Sequence, residues 1–433
     1  MICENIGLND LGHLTFAGFD TVELAGKYGT PLYLSDEDRI RNRCRLYKEA
    51  MHRYFGGLSR PLYAGKAACF KRMYEIMREE GLSVDLVSPG EIHTAMKAGY
   101  PMENAFFHGN NKTDGDIAYA MDCGVGCFVA DGEQELDAVD RIAGEKGVRQ
   151  NMLLRLTPGI DPHTYDAVAT GKVDSKFGSA IETGQAELFL KHALSLKNLN
   201  VIGYHCHVGS QVFDENGTVY HDAAAIMLTF ARDMRDKYGV LPQYLNLGGG
   251  YGVRYTEKDP YIDIEANIRS LASFVKARAE SLGIPCPTVL LEPGRSIVAD
   301  AGMTLYTAGT VKKIPGYKNY LSVDGGMTDN PRYALYGSKY TVYIANKADK
   351  EATFRGDLVG RCCESGDILQ PALMLPEPER GDIVAVCTTG AYNYAMASNY
   401  NRIPRPPIVM LSGGKDYVAV RRETYDDLIR NDL

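Results

Sequence analysis

The sequence runs to 433 residues, 45% of them hydrophobic and 24% charged, which is enough apolar material for two domains with substantial cores. A formal net charge of −8 excludes a global basic field of the kind that nucleic acid or an anionic membrane surface would need. No apolar run approaches the roughly 18 residues that span a bilayer, and the opening "MICENIGLNDLGHLTF" lacks a charged-then-apolar leader pattern, so a cytoplasmic protein without membrane or nucleic-acid partners is expected.

Taken in chain order, residues 1–35 end in the strand-like "PLYLS", expected to return to a later β domain. "RIRNRCRLYKEAMHR" (39–53) is locally basic and reads as a solvated helix face. A regular beat follows, in which short apolar runs stop at Gly, Pro, Asp or Asn: "LYAGK" from 62, "SVDLVS" from 83, "NAFFHG" from 104, "CFVADG" from 127, "NMLLRLTPG" from 151, "VIGYHCHVG" from 201, "YLNLGGG" from 244 and "TVLLEPGR" from 288. Helical spacing such as "EQELDAVDRIAGEKG" separates them. Eight strand–helix units predict an α/β fold, a TIM (β/α)8 barrel over 36–300. A doubly wound sheet is the rival, but its GxGxxG fingerprint after the first strand is missing. Beyond 300, Thr-, Val- and Tyr-rich runs such as "TLYTAGTVKKI" and "DIVAVCTTG" predict a second, β-rich domain over 301–433, sandwich- or barrel-like. The ten cysteines form no CxxC pair and suit a reducing compartment.

In a TIM barrel, chemistry gathers at the C-terminal strand ends. Those ends carry Lys66, Asp85 with Ser88, His108, Arg155, His205 with His207, Gly248 to Gly250, and Glu292 with Arg295. A lysine closing an apolar strand is usually a solvated side chain, yet it is also where a reactive amine would stand, tuned from about 10.4 to roughly 7–8. "LGGGYG" offers bare backbone amides for a phosphate on a late strand. An amine for a Schiff base, a phosphate cradle, an acid to pair with a pyridinium nitrogen (Glu292) and a flat ring (His207) together describe a pyridoxal 5'-phosphate site.

On "YAGKA", "VDLVSPGE", "FHGNNKT", "HTYDAVATGKVDSKFG", "HCHVGSQ", "NLGGGYG", "EPGRSIV", "DNPRYALYG", "CCESGD" and "GAYNYAMASNYNRIPRP", in this order, the chain resembles the fold-type III pyridoxal phosphate-dependent decarboxylases along nearly its full length, and among them the diaminopimelate decarboxylases. The resemblance implies that Lys66 holds the cofactor, that His207 stacks on its ring and that Ser210 with Gly248, Gly249 and Gly250 holds its phosphate. Asp85, Gly294, Arg295 and Tyr392 complete the cofactor contacts, and Glu292 keeps the ring nitrogen protonated. Arg295, Arg332, Tyr336, Glu364 and Tyr392 become the substrate contacts, Cys363 the proton donor. It further implies decarboxylation of meso-2,6-diaminopimelate to L-lysine and CO2, in a homodimer whose sites are shared between subunits. Ornithine, arginine, lysine or carboxynorspermidine are the alternative substrates within the same family.

Two other classes have distinct signatures. "HCH" at 205–207 has the spacing of a zinc pair in barrel hydrolases, but there it closes the first strand and here the sixth, so no metal is expected. A non-catalytic carrier of pyridoxal phosphate need not keep both "CES" and "NPR", and this chain has both.

Overall fold

The computed structural model describes residues 1–160, 175–214 and 216–433; most of the "HTYDAVATGKVDSKFG" stretch therefore lies outside the described residues. The chain divides into two compact units: Arg43–Gly252 with Tyr261–Ser296, and Met1–Asn42 with Val253–Pro260 and Ile297–Leu433. No helix among the described residues is long and apolar enough to cross a membrane.

The first unit is built on eight parallel strands: β1 (Arg60–Ala64), β2 (Ser83–Leu86), β3 (Ala105–Phe107), β4 (Cys127–Ala130), β5 (Gln150–Thr157), β6 (Leu199–His205), β7 (Tyr244–Asn246) and β8 (Thr288–Leu291). Each pairs with the next in chain order and β8 returns to β1, so the sheet closes into the expected barrel. A two-residue strand, Ser179–Ala180, adds to the end of β5. The connecting helices start and stop where local chemistry dictates. Ser88 caps Pro89–Lys97 by accepting from the Glu91 amide, with proline at the first helical position, where no N–H is needed. Thr113 and Asp116 form a capping box for Asp114–Asp122. Lys71–Glu80 ends on Gly81, whose left-handed backbone (φ 73°) favours glycine.

Strand alternation sorts the barrel interior into layers. Leu62, Phe106, Cys127, Val129, Leu153 and Leu290 form a buried cluster, and burying each of the larger side chains contributes about 1.5–3 kcal/mol. Two residues further along each strand, on the same face, stand Ala64, His108, Asp131, Arg155 and Glu292. The period that packs the lower layer thus delivers polar groups to the C-terminal mouth. One strand departs from it: a bulge between Val201 and Gly203 resets β6, so that Ile202 packs on the inner cluster and His205, three residues on, also reaches the interior.

In the second unit, Leu32–Asp36 pairs antiparallel with Gly302–Leu305 and parallel with Ile408–Leu411, joining the amino-terminal "PLYLS" to a sheet of the C-terminal part. The long strand Gly302–Ile314 takes Ile383–Cys387 along its first half and Lys318–Val323 along its second, with a bulge between Ala308 and Val311. Leu32, Leu34, Met303, Leu305, Ala385, Val409 and Leu411 form its core with Leu14, Phe16 and Leu24 from the amino-terminal segment. A small three-stranded sheet, Ile6–Leu8, Leu14–Phe16 and Phe19–Asp20, is an element the sequence pattern did not announce. The basic run at 39–53 lies in the helix Glu37–Tyr54 and is less solvated than expected: Arg39 pairs with Asp300, Arg41 with Glu37 and Arg45 with Glu80.

Candidate active site

Lys66 lies in a single 3-10 turn, Gly65–Ala67, directly after β1, exposed between two buried neighbours. A Cβ on Gly65 would fall 2.5 Å from the Tyr74 hydroxyl and 3.1 Å from the Asp85 carbonyl oxygen, so the turn carrying the lysine is packed against β2. Gly294, after β8, closes the other side, with its Cβ position 3.0 Å from the Ala64 Cβ and 3.2 Å from that of Ala67. Asp85 is buried at the end of β2. Burial pushes its carboxyl up, His108 and Lys66 pull against that, and its Oδ1 lies 3.7 Å from His108 Nε2.

Glu292 stands at the centre. Asn246 Nδ2 donates to its Oε1 at 2.7 Å, His108 Nε2 lies 3.0 Å from Oε1, and His205 Nε2 lies 3.2 Å from Oε2. Burial would push this carboxyl up, but His108 and His205 more than offset it and hold it well below the usual carboxylate range. It is an anion in a dry place. Burial pushes His205 down to about 4 and His207 well below its ordinary value, so both imidazoles are neutral at pH 7. Arg155, partly buried, lies 3.7 Å from Asp131 and over the Phe177 ring at 4.3 Å.

The glycine loop corrects one expectation. Its amides are not all bare: Gly248 N–H donates to Asn246 Oδ1 at 2.9 Å and Gly249 N–H to His207 Nδ1 at 3.2 Å, while the Gly250 amide has no protein acceptor among the described residues. The loop does need glycine. A Cβ at 249 would lie 2.0 Å from the Glu292 carbonyl oxygen and one at 250 would lie 2.2 Å from that of Gly209, so the backbone is pressed against β8 and the "HVGS" turn. Arg295 Nη2 donates to Ser210 Oγ at 2.9 Å beside it. The "HCH" pair is divided between tasks: His205 faces Glu292 and His207 faces the glycine loop. The grouping with metal-ligand spacing is instead His108, His205 and Glu292, whose ligand atoms lie within 4.8 Å of one another.

The remaining expected residues belong to the second unit. Arg332 is buried, with its guanidinium near three rings, Tyr392 at 5.5 Å, Tyr336 at 5.6 Å and Tyr255 at 5.8 Å. Its Nη2 donates to Ser338 Oγ at 3.3 Å; among the described residues it has no acidic partner and its Nε has no acceptor. Tyr392 is held at φ 60°, a left-handed conformation that costs a non-glycine residue about 1–3 kcal/mol. Cys363 and Glu364 are exposed in a loop fixed by its backbone: Asn401 Oδ1 accepts from the Cys363 amide and buried Asp367 accepts from those of Cys362 and Met327.

Comparison with known proteins identifies the family. Residues 37–299 match the family described as pyridoxal-dependent decarboxylase, pyridoxal binding domain. The chain belongs to the pyridoxal-dependent decarboxylase family. Its carboxy-lyase chemistry and its cofactor, pyridoxal 5'-phosphate, are those of that family. This decarboxylase is 45% identical to the diaminopimelate decarboxylase of Bacillus methanolicus, over 96% of each chain, and 43% identical to that of Bacillus subtilis over 98% of this chain and 96% of the other. In structure it is similar to the diaminopimelate decarboxylase from M. jannaschii in complex with L-lysine, with a TM-score of 0.90 at 30% identity, covering 99% of this chain and 98% of that one.

The donor set fits the cofactor: an anionic Glu292 for a protonated ring nitrogen, a neutral imidazole at His207, and the Gly250 amide with Ser210 and Arg295 for a phosphate. Sequence reasoning had noted His108, Arg155 and His205 at strand ends without giving them a task, and it had missed Asn246. The inward period of β7, which places Asn246 two residues beyond Tyr244, was the signal available.

Proposed function

We propose that this decarboxylase converts meso-2,6-diaminopimelate to L-lysine and CO2, the last step of lysine biosynthesis. The carrying observation is the buried Arg332, a cation without an acidic partner among the described residues. Leaving it unmatched is costly, so the substrate should bring an anion that stays when CO2 leaves. Gripping the departing carboxylate would stabilise the ground state and slow the reaction. Diaminopimelate has a second carboxylate, retained in lysine, whereas ornithine, lysine and arginine have only the one that leaves. The relative with L-lysine bound supports this choice.

When bound, the cofactor supplies an electron sink for the pair left behind by CO2. Lys66 anchors it covalently, and His207 offers a neutral flat ring whose orientation is fixed by the Gly249 amide. Ser210, Gly248 to Gly250, Gly294 and Arg295 receive the phosphate, with Asp85 near the lysine end and Tyr392 contributing from the second unit. Glu292 keeps the ring nitrogen protonated. Arg295, Arg332, Tyr336 and Tyr392 receive the carboxylate that the substrate retains, Glu364 its far ammonium, and Cys363 returns a proton to the carbon that lost CO2. One CO2-release assay on meso-diaminopimelate, L-ornithine, L-lysine and L-arginine tests the substrate. Turnover of diaminopimelate at least about 100-fold above the others is expected, roughly what an unpaired buried charge is worth. Equal or faster release from ornithine would refute the assignment.

We also place the chain in the cytoplasm as a homodimer in which Cys363 and Glu364 serve the partner's cofactor. The ten cysteines, none of them in a disulfide, suit a reducing compartment. Co-refolded Lys66→Ala and Cys363→Ala chains, each inactive alone, should regain about a quarter of wild-type activity, because half of randomly paired dimers are hybrids and each hybrid has one intact site of two. No recovery, with hybrids demonstrated, would mean that each chain completes its own site.

A further inference from the structure

The bonding around Glu292 exceeds what pairing with a ring nitrogen requires. A carboxylate offers about four lone-pair directions. Asn246 from β7 and His205 from β6 account for two of them, His108 Nε2 from beyond β3 lies 3.0 Å from Oε1 without hydrogen-bond geometry, and one direction on Oε2 is left over. The His205 imidazole can serve as a donor here only with the proton on Nε2. His205 fixes its own state, because its Nδ1 is buried and has no hydrogen-bond partner among the described residues. A second proton there would create a buried cation with an N–H aimed at nothing.

We propose that His205, as a neutral Nε2–H donor acting with Asn246, is a positioning residue that keeps Glu292 ionised and leaves a lone pair for the cofactor ring nitrogen. This rests on the reading of Glu292 as the partner of that nitrogen. Neutral donors suit the task in a way cations would not. Each donated hydrogen bond lowers the proton affinity of the carboxylate without cancelling its charge, so the shared proton stays on the ring. An imidazolium would neutralise Glu292 and compete with the ring for it. Removing one donor should raise the proton affinity of Glu292 and draw the proton off the ring.

The test uses holoenzyme loaded with cofactor labelled with nitrogen-15 in the ring, with the ring-nitrogen NMR shift as the readout. Glu292→Gln supplies the reference for a ring without its carboxylate. His205→Phe should move the signal from the wild-type position toward that reference and lower kcat about 10- to 100-fold, the range typical of groups that orient a charged partner. His205→Gln, whose side-chain Nε2 restores a donor, should return most of both. Asn246→Leu removes a donor from another strand and should shift the signal the same way, so the proposal stays testable if one variant fails to fold. An unshifted signal in either folded variant overturns the proposal while leaving Glu292 as ring partner. A wild-type signal already at the Glu292→Gln position overturns that pairing, and the proposal with it.

Discussion

Lys66→Ala is expected to abolish turnover and visible cofactor absorbance while leaving the fold intact. The two effects separate because of where the lysine is. Its side chain is exposed, at the tip of a 3-10 turn whose packing is supplied by Gly65, Ala67 and the Ala64–Gly294 approach. Truncation there should change stability by no more than about 0.5 kcal/mol, as for a surface position. The amine itself has no substitute at that point, and loss of a covalent anchor commonly costs about 10^4-fold or more in rate. Thermal melting, absorbance and CO2 release on the same preparation check all three. A variant that kept the chromophore would show that another lysine carries the cofactor.

Glu292→Gln is expected to leave the cofactor bound and cut kcat by about 10²- to 10³-fold, the scale on which single preorganised electrostatic groups act. The shape is retained but the charge is lost. A glutamine places an N–H where His205 or Asn246 also presents a donor, so one of the two must turn away. With no anion, nothing favours a proton on the ring nitrogen over solvent, and the electron sink weakens. Because the substrate's own contacts are untouched, KM should change by less than about threefold. Steady-state kinetics beside a cofactor titration separate the two terms, and an unchanged kcat would remove Glu292 from the chemistry.

Much of the barrel was legible because its physics is local. Each strand is a short apolar run stopped by a turn residue, and several polar side chains at the mouth follow a buried apolar one by two positions, as His108 follows Phe106 and Glu292 follows Leu290. What escaped depends on pairing across strands. His205 and His207 share a face in an ideal strand, yet the bulge after Val201 and the turn beyond β6 send one to Glu292 and the other to the glycine loop. The Gly248 and Gly249 amides look bare in sequence because their acceptors, Asn246 and His207, are set by tertiary approach rather than by spacing. Arg332 was legible as an anion binder, but not its burial among three tyrosine rings, since Tyr255 and Tyr392 are 77 and 60 residues away in the chain. The small amino-terminal sheet was missed for another reason: strands of two or three residues are too short to show a period.

The central claim is that a single lysine, closing the first strand of the barrel, carries the cofactor. Borohydride reduction of the holoenzyme, followed by proteolysis and mass mapping of the pyridoxyl group, tests it directly. The account predicts that the group is found on the peptide containing Lys66 and that Lys66→Ala protein, treated the same way, yields none. Label on any other lysine, or an unlabelled Lys66 in active enzyme, would contradict it.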